Sequence, residues 1–131
     1  MAHPNEELLR RGYDAFNKGD LDFLRNEVFS EDVVARVPGR SQIAGEYKGI
    51  DQVFGLFGKL AELSGGTLRT DPHDILANDE HGVALSLTSA ERQGKKLDQQ
   101  RTMEVYHFRG GKIFEFWPLV EDDYQNDEFW S

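Results

Sequence analysis

The sequence predicts an α+β fold, and two observations carry that expectation. Through about residue 63 the apolar side chains recur at three- and four-residue spacing, the helical period. Beyond Gly66 they alternate in strand-like stretches down to about residue 121, so helices come first and a meander of strands follows. The change of period falls on Ser64-Gly65-Gly66, a sequence that ends a helix and opens a turn.

Each element follows from local signals. Asn5 to Lys18 forms an amphipathic helix with Leu9, Tyr13 and Phe16 on its apolar stripe, Pro4 in its first turn and Gly19 as its stop. Asp20 caps a second, shorter helix carrying Leu21, Leu24 and Val28, which Ser30-Glu31-Asp32 breaks. Val33 to Val37 is a short strand closed by Pro38-Gly39. A third helix runs from about Ile50 to Leu63, with Val53, Phe54, Phe57, Leu60 and Ala61 on one side and Asp51, Gln52, Lys59 and Glu62 on the other. Four strands follow, roughly Thr67–Ala77, Val83–Arg92, Leu97–Arg109 and Lys112–Glu121, separated by the turn sequences 78–82, 93–95 and 110–111. Asp122 to Ser131 forms a terminal turn or short helix. No internal repeat, linker or low-complexity tract interrupts the chain.

Composition narrows the function classes. The chain has 131 residues, enough for one core, with 38% apolar and 30% charged residues. Its 0 cysteines exclude disulfides, thiolate nucleophiles and sulfur-ligated metals. The net charge of −9 argues against nucleic acid as a partner, since phosphate binding needs a basic face. Part of that acidity is the cluster Glu121, Asp122, Asp123, Asp127 and Glu128, which reads as a solvated tail. No membrane-length apolar run and no signal-peptide pattern is visible, so membrane association is not expected and a cytoplasmic location is. No histidine or carboxylate spacing points to a metal, and no motif points to a cofactor.

Several local patterns now acquire meaning from their order. Tyr13-Asp14-Ala15-Phe16-Asn17-Lys18-Gly19-Asp20-Leu21, Phe29-Ser30-Glu31-Asp32-Val33, Gly45-Glu46-Tyr47-Lys48-Gly49, His107-Phe108-Arg109-Gly110-Gly111-Lys112-Ile113 and Asp127-Glu128-Phe129-Trp130 succeed one another along nearly the whole chain. In this arrangement the sequence resembles the nuclear transport factor 2-like superfamily, in its SnoaL-like and ketosteroid isomerase-like branch. The resemblance implies a single cone-shaped domain over residues 1–131, in which three N-terminal helices pack on a strongly curved, mostly antiparallel sheet enclosing one pocket. It implies no single activity, because this fold hosts isomerases, cyclases, epoxide hydrolases and non-enzymatic binders.

Carried over residue by residue, the resemblance is informative chiefly by what is missing. The oxyanion tyrosine of the steroid isomerases falls on Tyr13, and their second oxyanion donor falls on Tyr106, a hydroxyl in place of a carboxylic acid. Their carboxylate base would fall near Val37, where none stands. The acid–base aspartate of the polyketide cyclases falls on Pro118, which cannot titrate and which also marks an edge or bulge in a strand. The Arg-x-Asp half of the epoxide hydrolase arrangement falls on Glu104-Val105-Tyr106.

With Tyr106 as anchor, alternation puts Thr102, Glu104 and Phe108 on its side. The resemblance puts Ala84, Ser86, Thr88 and Ala90 on the pocket side of the preceding strand, leaving Val83, Leu85, Leu87, Met103, Val105 and His107 outside. An apolar outer face needs cover, which a homodimer through that face supplies. A register shift of one residue would invert both sets.

The candidate catalytic residues are therefore Tyr13, Glu104 and Tyr106, and the candidate ligand-binding residues are Phe16, Phe54, Phe57, Ser86, Thr88, Phe116 and Trp117. Each tyrosine is either an oxyanion donor or a core residue with its hydroxyl at the edge. Glu104 is either a buried acid–base carboxyl or a solvent-facing residue paired with Arg101 or Arg92. His81 belongs to a turn, His3 to the terminus, and His73 beside Asp74 is a weaker candidate base. Two functions compete: an isomerase, cyclase or hydrolase acting on a hydrophobic oxygenated ligand by acid/base chemistry, and a non-catalytic ligand-binding or scaffold protein of the same fold. A protein-interaction module is a third, for which no recognition feature is visible.

Overall fold

A computed structural model describes residues 2–131. Helix α1 spans Pro4–Lys18. Its first turn is closed reciprocally: the His3 ring accepts from the Asn5 N–H at 3.0 Å while Glu6 reaches back to the His3 N–H at 3.2 Å. Gly19, at φ +74°, takes the left-handed conformation that ends the helix. Asp20 then accepts from the Phe23 N–H at 3.1 Å and opens α2, Leu21–Phe23. This helix widens at once into a π-helical turn, Leu24–Val28, so the expected second helix is a composite whose Leu24 and Val28 both face the core.

The helical stretch ends before Ser30-Glu31-Asp32 as expected, but these residues already belong to a strand: β1 begins at Phe29 rather than Val33 and runs to Val37, because its polar residues find partners on neighbouring elements. The Ser30 hydroxyl donates to the Ile113 carbonyl at 3.2 Å, and Asp32 accepts from Arg109 at 2.8 Å. A short strand not anticipated from the sequence, β2 (Gly45–Lys48), pairs antiparallel with β1 from Val37↔Gly45 to Val34↔Lys48. Helix α3 occupies Ile50–Leu63, and β3 (Arg69–Ala77), β4 (His81–Arg92), β5 (Lys95–Arg109) and β6 (Lys112–Val120) form the long meander. Helix α4, Asp123–Phe129, ends the chain, capped by the Asp122 carboxylate on the Gln125 N–H at 3.1 Å.

The six strands form one curved sheet in the order β2-β1-β6-β5-β4-β3, antiparallel except for the β1–β6 pair. Register shifts interrupt the β1–β6, β3–β4, β4–β5 and β5–β6 ladders, and such bulges bend and twist a sheet. The result is an α+β fold in which α1, packed on β3, and α3, packed on β1, lie across the concave side. Leu9, Leu24, Val28, Val33, Val53 and Ile113 are among the most completely buried side chains of the core. Gly82 permits the close approach of α1 to β4, since a Cβ there would come within 2.7 Å of the Phe108 ring and 3.0 Å of Leu9. Pro118 lies in an interior strand and at no register shift, contrary to expectation. It is tolerated because β1 stops pairing with β6 at Ala35↔Phe116, two residues earlier.

Among the described residues, no helix is long and apolar enough to cross a membrane.

Candidate functional site

Between α1, α3 and the concave face of β5 and β6 lies a cavity of about 190 Å³, roofed at one end by α4 and Trp130. Its walls are largely apolar. Phe16 meets Phe57 edge-on at 5.3 Å, and the Phe116 ring stacks on Tyr106 at 5.8 Å. The volume exceeds the roughly 150 Å³ that takes a benzene ring and falls below the roughly 300–1,000 Å³ of drug-sized sites.

One end of the cavity is polar. Tyr13 arrives from the apolar stripe of α1, and Glu104 and Tyr106 arrive from alternate positions of β5, so the three side chains converge. The Tyr13 hydroxyl donates to Glu104 Oε1 at 2.5 Å and lies 2.6 Å from the Tyr106 hydroxyl, with either oxygen able to donate in the second contact. Ser86, opposite Thr102 on β4, also donates to Glu104 Oε1, at 2.9 Å. Both of these contacts fall on one carboxyl oxygen, Oε1. Glu104 is only 9% exposed. Burial raises its carboxyl above the ordinary carboxylate range, against the opposing pull of hydrogen bonds from Tyr13, Ser86 and Thr102. Burial likewise pushes both tyrosines well above their ordinary value, with the Glu104 charge adding to the effect. Burial thus shifts Glu104 toward its neutral, proton-carrying form, beside two neutral phenols.

The cavity wall sorts the expected residues. Tyr13, Glu104, Tyr106, Phe16, Phe57, Thr88 and Phe116 all line it. Ser86 stands behind Glu104 as its hydrogen-bond donor and is not in the wall. Phe54 and Trp117 are not in the wall either. Phe54 packs behind Phe57 and Phe29, at 5.5 and 6.3 Å, beneath the Arg25 guanidinium. Trp117 follows the inward Phe116 on a strand and so points to the other face, edge-on to His107 at 5.2 Å. Ala84, Ser86, Thr88 and Ala90 are buried together with Thr102, Glu104, Tyr106 and Phe108, which is the register the sequence predicts. Val37 and Pro118, the positions onto which the resemblance carries a carboxylate, do line the cavity, and neither residue titrates.

The histidines lie elsewhere. His73 is exposed at the β3–β4 register shift, and His81 is the first residue of β4 rather than a turn residue. His107 sits on the outer face, 2.8 Å from Glu115, whose carboxylate Arg36 holds below the usual range. Gln100, Asp123 and Asn126 also line the cavity and did not figure among the expected residues. For Gln100 a signal existed, since it has the same strand parity as Thr102, Glu104 and Tyr106.

Comparison with known proteins agrees with this architecture. A family model described as a SnoaL-like domain matches residues 9–116. The chain is 34% identical over 126 residues to the uncharacterized protein Rv0034 of Mycobacterium tuberculosis, covering 95% of each. It superposes with a TM-score of 0.92 on Bal32a, from a soil-derived mobile gene cassette, at 37% identity over 98% of this chain and 97% of that one. A more distant structure, TerC co-crystallized with polyporic acid, matches with a TM-score of 0.83 at 17% identity over 97% and 98% of the two chains.

Proposed function

Because the chain belongs to the SnoaL-like family, we propose that its cavity receives a small hydrophobic, oxygenated molecule and that Tyr13, Glu104 and Tyr106 perform acid/base chemistry on it. The observation that carries this reading is the continuous hydrogen-bond chain Glu104–Tyr13–Tyr106 in the wall of an otherwise apolar cavity. Such a chain has two directions. With Glu104 ionised, Tyr106 donates to Tyr13 and Tyr13 donates to Glu104, so neither phenol is free. With Glu104 protonated, the carboxyl donates to Tyr13, Tyr13 to Tyr106, and the Tyr106 proton is released to a ligand oxygen. Burial favours the second state.

In that state Tyr106 polarises a ligand carbonyl. As Glu104 Oε2 takes a proton from a carbon beside that carbonyl, negative charge develops on the ligand oxygen and one proton moves along each link, from Glu104 Oε1 to Tyr13, from Tyr13 to Tyr106 and from Tyr106 to the ligand oxygen. Glu104 gains one proton as it gives one up, so it stays neutral while the ketone becomes its enol. The absence of carboxylates at Val37 and Pro118 leaves Glu104 as the acid–base group and separates this chemistry from that of the steroid isomerases and polyketide cyclases.

The test is turnover of a panel of aromatic ketones and enones, followed by ultraviolet absorbance and mass spectrometry. Tyr106→Phe and Glu104→Gln should each reduce turnover at least about 100-fold while circular dichroism stays native. Unchanged rates in both would eliminate the arrangement. Panel members that bind but are recovered unconsumed by the wild type would establish the second reading, a non-catalytic binder, which the empty positions at Val37 and Pro118 favour. The outer sheet face, with Met103 and Leu119 36% and 39% exposed, is assigned in the same reading to a second copy of the chain.

A further inference from the structure

The cavity holds a polar group that the acid/base reading does not use. Gln100 is 4% exposed and lines the cavity, yet its Nε2 has no hydrogen-bond partner among the described residues. A buried amide left unpaired forfeits the hydrogen bonds it made to water, so an idle one facing a cavity is a costly feature unless something comes to meet it.

The backbone beside it is also unusual. Thr88 pairs with Gln100 and Ala90 with Leu97, so one residue of β4 faces two of β5. The extra residue is accommodated at Gln99, whose φ of +54° is the left-handed conformation that non-glycine residues seldom adopt. This bulge lets Leu97 and Gln100, three residues apart, both point inward, which strict alternation forbids.

Gln100 is four positions from Glu104, about 13 Å along an extended strand. Between them the polar side chains are already occupied. Thr102 and Thr88 share a hydrogen bond at 3.0 Å, and Ser86 serves Glu104. Along β5 the cavity wall is therefore polar at two separated points with a self-satisfied middle.

Resting on the small-ligand reading above, we propose that Gln100 is a second anchor of the cavity. It donates its Nε2–H to an oxygen acceptor at the end of the ligand remote from Glu104, Tyr13 and Tyr106. The ligand class is a mostly apolar molecule with one oxygen function at each end.

The probes are a stilbene bearing a para hydroxyl on both rings and the analogue bearing only one, titrated by calorimetry. The wild type should prefer the doubly hydroxylated probe by about tenfold, the worth of one well-made hydrogen bond. Gln100→Leu and Gln100→Met should lose that preference, bind the singly hydroxylated probe as the wild type does, and unfold at no lower temperature, since each removes an unpaired polar group. A preference that survives in both variants, or variants that unfold at clearly lower temperature, would overturn the assignment and show Gln100 to be structural. Failure of either probe to bind the wild type would sink the ligand class together with the small-ligand reading. A Gln100-dependent preference in a protein that turns over none of the ketone panel would sink the acid/base reading alone.

Discussion

Replacing Glu104 by glutamine separates its charge from its shape. Glutamine keeps the Oε1 acceptor that Tyr13 and Ser86 engage at 2.5 and 2.9 Å, and puts an amide that cannot ionise in place of the other oxygen. In the wild type the folded protein holds the carboxyl above its ordinary value, chiefly by burial. The neutral form is therefore the one that folding favours. The contribution of this group to stability is complete below its unfolded value, about pH 4.3, and is lost as pH rises through the higher folded value. One proton limits the slope to about 1.4 kcal/mol per pH unit within that window. The glutamine variant has no such loss. Urea unfolding of both proteins at steps from about pH 4 to pH 8 should show similar stabilities at the acid end, within about 1 kcal/mol, and an advantage for the variant that grows with pH and then levels off. Other titrating groups cancel in the difference. A difference that stays flat would mean that Glu104 titrates as it does in water. One that turns against the variant as pH rises would mean that the hydrogen bonds from Tyr13, Ser86 and Thr102 outweigh desolvation, and the neutral-acid starting state would then be wrong.

Two other perturbations test the frame around the site. Gly82→Ala places a methyl 2.7 Å from the Phe108 ring and 3.0 Å from Leu9, and should cost about 1–3 kcal/mol by denaturant unfolding; an unchanged midpoint would show that α1 is not seated against β4. For the outer face, analytical ultracentrifugation of the wild type should give twice the chain mass, and the double substitution Met103→Lys with Leu119→Lys should give the single-chain mass. A wild type that sediments as one chain would dispose of the dimer.

The parts of the fold that were legible in the sequence are those whose signals are local. Helix α3 has matching limits because a stripe of Val53, Phe57 and Leu60 is bounded by Gly49 and by Ser64-Gly65-Gly66. Strand β2 was not legible, since Gly45–Lys48 has no alternating apolar pattern and becomes a strand only through pairing with β1. The early start of β1 at Phe29 depends on Ile113 and Arg109, partners 83 and 77 residues from Ser30 and Asp32. The meeting of Tyr13 with Glu104, 91 residues apart, came into view only through the family resemblance joined to strand parity. Parity also accounts for the errors: Phe116 and Trp117 are strand neighbours and cannot both face in, and following the Tyr106 row one step past Thr102 would have reached Gln100.

Around Gln99 the chain is sensitive to something other than side-chain chemistry. Asp98 and Gln99 are both exposed and neither lines the cavity, so their identities are constrained only by the left-handed backbone at Gln99 and its contact with Ser89. Their number matters more. Deleting one would restore simple alternation across the site and force a choice: either Leu97 turns out to solvent, or the row from Gln100 to Tyr106 turns away from the cavity. Comparisons among SnoaL-like chains should therefore weigh a one-residue gap at this point more heavily than any substitution there, since the gap changes which residues a ligand meets while leaving the residue inventory almost the same.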